Sequence, residues 1–152
     1  MPMNPRMRLR LLLVVGPALL LAGADLVVKA TVATRAWDFH VRSPLWVGFS
    51  IALAVGTLAL AVVPSRFAAV AAGVVAGGVL GNLLSAWRHG GRVPNPLVVG
   101  TLAFNLADVF VLVGAVLQTV ALVRAAIRHR ERIDRLIPPR RWEIALRRRL
   151  GL

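Results

Sequence analysis

The chain has 152 residues, 58% of them hydrophobic, with a mean hydropathy of +0.74 and a formal net charge of +13. Soluble domains of this size are less apolar, so the composition excludes an ordinary soluble fold. There is no cysteine, which excludes a disulfide framework and thiol chemistry, and the scattered His40, His89 and His129 show no ligand spacing for a metal.

The first predicted element is a helix over residues 11–34, charged only at Asp25 and Lys29. These two are spaced i, i+4 and can pair on one helix face. MPMNPRMRLR, then LLLVVGPALLL, then Ala22-Gly23-Ala24 imitates a signal peptide with its cleavage site. The apolar run continues to Thr34, so a retained helix is expected. A second helix covers 45–63 without a charge, and Pro64-Ser65-Arg66 turns the chain into a third over 67–87. In that helix Ala69, Gly73, Gly77, Gly81 and Ser85 recur every four residues, a small-residue stripe that lets a neighbouring backbone approach closely. Gly78 lies off the stripe. The fourth helix covers 97–123, with Asp108 as its one charge. Each run reaches the ~20 residues that cross ~30 Å of hydrocarbon. The expectation is an all-α integral membrane protein: one domain of four transmembrane helices over 1–123, then a basic tail over 124–152.

Charge sets the orientation. Arg6, Arg8 and Arg10 precede the first helix, Arg66 lies in the middle turn, and ten arginines follow Val123. The other two loops hold only Arg35, Arg42, Arg88 and Arg92. The positive-inside rule makes both termini and the middle turn cytoplasmic. Membrane lipids are then the expected partners of the basic residues, and no nucleic acid is expected. In the tail, Ile127, Ile133, Leu136 and Ile137 recur at roughly helical spacing, Pro138-Pro139 breaks the run, and Trp142, Ala145, Leu146 and Leu150 form a second apolar strip. A basic amphipathic helix on the membrane surface fits this pattern; a partly disordered tail is the plainer alternative.

Depth follows from a helical rise of ~1.5 Å per residue: Arg10 to Asp25 is ~22 Å, Arg66 to Asn82 ~24 Å, and Arg124 back to Asp108 ~24 Å. Asp25, Asn82 and Asp108 are therefore predicted to meet in one polar cluster that opens outward, joined by Asn105 at i, i+3 from Asp108. A lone carboxylate at such depth costs at least ~2.5–3.5 kcal/mol. Asp25 has Lys29 beside it, whereas Asp108 has no local partner in this reading. A functional site and a purely structural tie between helices both remain open on these residues.

GGVLGNLL at 77–84, RHG at 88–90 and FNLADVFVLVGAVL at 104–117 resemble the two signature regions of the signal peptidase II family, the bacterial lipoprotein signal peptidases. Asp25-Leu-Val-Val-Lys29 is similar to the family's N-terminal D-x-x-x-K. The resemblance covers about half the chain. It implies a multi-pass aspartic endopeptidase of the bacterial cytoplasmic membrane, without cofactor or metal, that removes signal peptides from diacylglyceryl-modified prolipoproteins. Two aspartates would activate a water and protonate the scissile amide, because like charges held close titrate apart into an acid and a base. Asp108 matches one of the pair, and Asn105 the asparagine before it, with Asn82, Asp25 and Lys29 in support.

The second aspartate belongs after RHG in a pattern like G-x-V-V-D-F. Here GGRVPNPLVVG puts Pro94 at that place with Asn95 next to it, and neither can act as a general base. Ser85-Ala86 replaces the family's acidic-basic pair after GN, the N-x-G-x-A-F segment has no counterpart, and the first outer loop is too short for a substrate platform. Asp25 and, more remotely, Asp38 are the available stand-ins. The expected function is thus a signal peptidase II-like protein, impaired or inactive as a peptidase. The alternative is a non-catalytic pseudoenzyme that binds lipid, a prolipoprotein signal peptide or a membrane partner. A third reading is an unrelated four-helix protein whose polar cluster only packs helices.

Overall fold

Helix α1, Pro5–Thr31, starts on Asn4, whose side chain accepts the Arg6 N–H, and Pro5 sits in the first turn, where its missing N–H leaves no bond unmade. The helix runs unbroken through residues 22–24. Helix α2 spans Pro44–Leu60. Helix α3, Arg66–Arg88, is capped by the Ser65 hydroxyl, which accepts the Ala68 N–H. Helix α4 spans Leu106–Arg128. These elements come from a computed structural model that describes residues 4–60, 65–130 and 147–151. The chain is mostly helical. Among the described residues α1, α3 and α4 are long and apolar enough to cross a membrane, while α2 is apolar but has 17 residues.

Two departures from the expected fold lie at the end where the α1–α2 and α3–α4 connections meet. The fourth helix begins at Leu106, not at residue 97. Residues 97–104 instead form a hairpin, β3 (Leu97–Val99) against β4 (Leu102–Phe104). A short apolar run reads equally as strand or helix; Gly100, at φ 60°, decides the matter by opening a two-residue turn that needs a left-handed first position. The purely helical expectation also fails at β1 (Phe39–Val41) and β2 (Arg92–Pro94), which pair antiparallel with His40 opposite Val93. This small ladder ties the two connections together.

Helix α3 is the buried centre. A Cβ added at Gly73 would stand 2.5 Å from the Val14 carbonyl oxygen, and one at Gly77 3.0 Å from that of Ala18, so the stripe is the seat of α1. Gly78 serves the other side: a Cβ there would meet the Ala107 carbonyl oxygen at 2.5 Å. Gly114 of α4 returns the approach: a Cβ added there would stand 2.7 Å from the Val75 nitrogen. The off-stripe glycine thus has its reason in a second close contact. The outward faces stay apolar, with Leu12, Leu19, Leu112 and Val116 exposed.

The chain divides into two compact units, Met1–Ala121 and Leu122–Leu152. In the second, helix α4 continues past Val123 to Arg128, and residues 147–150 are helical. The apolar strips at Ile133, Leu136 and Ile137 and at Trp142, Ala145 and Leu146 lie outside the described residues.

Candidate functional site

The polar side chains of α1, α3 and α4 form one hydrogen-bonded chain beneath the strands. Asp25, wholly buried on α1, accepts the Lys29 ammonium at 2.7 Å on Oδ2 and the Ala107 N–H at 2.9 Å on Oδ1. Lys29 Nζ also donates to Asn82 Oδ1 at 2.9 Å, and Asn82 Nδ2 donates to Asp108 Oδ1 at 2.9 Å. Asp25, Lys29, Asn82 and Asp108 are therefore brought together across three helices. Gly81 makes room for this: a Cβ there would stand 2.7 Å from Asp25 Oδ2.

Asp108 does have a local partner, contrary to the sequence reading, because α4 starts at Leu106 and places it in the first turn. Its N–H donates to Asn105 Oδ1 at 3.0 Å, and the Asn105 N–H donates back to Asp108 Oδ2 at 3.3 Å. This is the reciprocal geometry of a capping box, here with Asn and Asp in the two roles. A carboxylate in the first turn is also favoured by the partial positive charge of the helix N-terminus. Asp25 answers another of the free N–H groups of that turn.

Of the two positions offered for a second acid, Asn95 enters the cluster and Pro94 stays in the β1–β2 ladder opposite Phe39. Asn95 is buried; its Oδ1 accepts from Asn105 Nδ2 at 2.6 Å, and its Nδ2 donates to the Ala103 carbonyl at 3.1 Å. His40 Nδ1 lies 3.2 Å from the same Nδ2. Nothing in the spacing pointed to His40, which arrives only through the pairing of β1 with β2. Asp38 contributes its backbone carbonyl, which accepts the Asn95 N–H.

Half-buried Asp108 and buried Asn82 line a cavity of about 330 Å³, walled mainly by Trp46, Phe49, Leu53 and Val111. The Arg42 guanidinium lies 4.6 Å from the Trp46 ring centroid, a cation–π contact. Chemically, Asp108 is the carboxylate that faces open space. The amides of Asn82, Asn95 and Asn105 can orient a water or a carbonyl, but amides do not exchange protons as acids or bases do. Asp25 is wholly buried with both oxygens engaged. Among the described residues no group of three His, Cys, Asp or Glu side chains is placed to hold a metal.

A family model described as signal peptidase (SPase) II matches residues 26–124. The chain belongs to the signal peptidase II family. No curated protein and no solved structure matches it. The matched segment holds Lys29, Asn82, Asn95, Asn105 and Asp108 and begins one residue after Asp25. With its apolar helices the chain is a membrane protein, and signal peptidase II membership supports a signal peptidase II-like function.

Proposed function

We propose that this signal peptidase II family protein descends from an aspartic endopeptidase of prolipoproteins and is impaired or inactive in the cleavage step. One observation supports the reading: Asn95, an amide beside the position where the family resemblance expects a second aspartate, bonds to Asn105, whose side chain caps the helix turn that holds Asp108. With Asp108 alone, one group would have to be base and acid to the same bond. Loss of a positioned acid or base removes roughly 10²–10⁴ in rate.

The topology that goes with this reading has four spans across a bacterial cytoplasmic membrane, with both termini and the middle turn on its cytoplasmic side. The β1–β2 ladder gathers two connections at one end of the bundle, and Arg6, Arg10 and Arg66 line one cavity at the opposite end. Helix α2 at 17 residues rises ~26 Å at ~1.5 Å per residue, near the lower limit for a crossing.

A non-catalytic role is the second reading, favoured by the apolar cavity that ends at Asn82 and Asp108. Its apolar lining suits an acyl chain or the side chains of a signal peptide more than a soluble substrate.

The test is cleavage of a diacylglyceryl-modified prolipoprotein by the purified chain in detergent. The wild type is expected to be at least ~10²-fold slower than Asn95→Asp, in which a carboxylate is restored, and Asn95→Asp combined with Asp108→Asn should be inactive. Efficient cleavage by the wild type, abolished in Asp108→Asn, would overturn the impaired reading. Slow cleavage in every variant, with the prolipoprotein still retained by the protein, would favour the non-catalytic one.

A further inference from the structure

A second cluster lies at the other end of the bundle, away from Asp108. Arg6 and Arg10 are one turn apart on α1, and Arg66 is the first residue of α3. With Leu9 and Ser65 they line a cavity of about 210 Å³. Helix packing places them there. Gly73 sits on Val14 and Gly77 on Ala18, so α1 and α3 run parallel in a fixed register. Carried back towards the two N-termini, that register sets Arg66 level with Met7, between Arg6 and Arg10. The glycine stripe that seats α1 therefore also fixes three guanidiniums around one space.

Like charges one turn apart repel, and among the described residues none of these three guanidiniums has a hydrogen-bond or ion-pair partner. The described acidic residues, Asp25, Asp38 and Asp108, belong to the opposite end. The ligand that fits is an anion with several acceptor oxygens. Guanidinium forks match phosphate bidentately, and the first turn of α3 adds its partial positive charge. Beyond the arginines the surface turns apolar, with Leu9, Leu12 and Val15 exposed along α1. A phosphate with hydrocarbon attached satisfies both parts.

We propose that Arg6, Arg10 and Arg66 form a binding site for the phosphate of an anionic phospholipid, its acyl chains lying along the exposed face of α1. Basic pockets between membrane helices are known to hold anionic headgroups. This site is independent of whether the Asp108 site cleaves anything.

Native mass spectrometry of the full chain in detergent tests it, with phosphatidylglycerol and phosphatidylcholine of identical acyl chains as probes. Phosphatidylglycerol should be retained about tenfold more than phosphatidylcholine, a difference of ~1.4 kcal/mol. The combination Arg6→Gln, Arg10→Gln and Arg66→Gln should abolish that preference. The charge-matched control, Arg147→Gln, Arg148→Gln and Arg149→Gln, should keep it. Single Arg66→Gln, checked for an unchanged melting temperature, should lose part of it and guards against misfolding of the triple variant. Equal retention of both lipids, an equal loss in the control, or displacement of the lipid by millimolar inorganic phosphate would overturn the proposal; the last would point to a soluble phosphate instead.

Discussion

Asp108 looks costly in a sequence because its neighbours along the chain are apolar, yet three hydrogen bonds meet it or its own N–H within the first turn of α4. Asp25 and Lys29 are the more exacting pair: their side chains are 0% and 2% exposed, and the carboxylate also holds the Ala107 N–H. Removing one partner of a buried pair leaves an uncompensated charge, at about 3–5 kcal/mol. Asp25→Ala should therefore lower stability by about that amount. Asp25→Leu combined with Lys29→Leu should recover much of the loss, as read by thermal unfolding in detergent. If the double variant is as unstable as the single, the bond to Ala107 outweighs the ion pair.

Helix α3 has two close faces, one for α1 and one for α4, and its glycines are shared between them. Gly78→Ala would push a Cβ to 2.5 Å from the Ala107 carbonyl oxygen and 2.8 Å from a Val111 methyl. Backbone cannot yield cheaply, so the expected loss is about 1–3 kcal/mol. Because Ala107 and Asp108 are adjacent, the same change should disturb the Asn82–Asp108 bond. Gly48→Ala on α2 is the matched control: nothing lies within 4 Å of the added Cβ, and melting should be unchanged or slightly higher. At the start of α4, Asn105→Ala removes the cap, worth about 0.5–2 kcal/mol, and takes from Asn95 its 2.6 Å partner.

At the scale of the molecule, the two ends of the bundle carry different chemistry: hydrogen-bonded acids and amides under a small β layer at one, arginines without a partner among the described residues at the other. The absence of cysteine makes orientation simple to measure. With single cysteines placed by Thr101→Cys in the β3–β4 turn and Arg128→Cys at the end of α4, a membrane-impermeant maleimide applied to intact cells should label the first and spare the second. The reverse pattern would invert the topology, and labelling of both would contradict a crossing by α4.

Much of this was legible along the chain. Apolar runs, their length and the placement of arginine set out membrane-crossing helices, because hydrocarbon admits few other structures. The depth count placed Asp25, Asn82 and Asp108 in one layer because α-helical rise is nearly constant, and the motifs around Asn82 and Asp108 carried the family. What a linear reading could not supply was pairing across distance. The hairpin at 97–104 turned on one left-handed glycine, and that moved the start of α4 and gave Asp108 a cap. Gly78 had no meaning until α4 lay against it. His40 and Asn95, 55 positions apart, met only because two short strands found each other. The length of apolar runs thus determined which segments are apolar enough to cross a membrane, while side-chain packing and strand pairing, which depend on residues distant in sequence, decided which polar atoms touch.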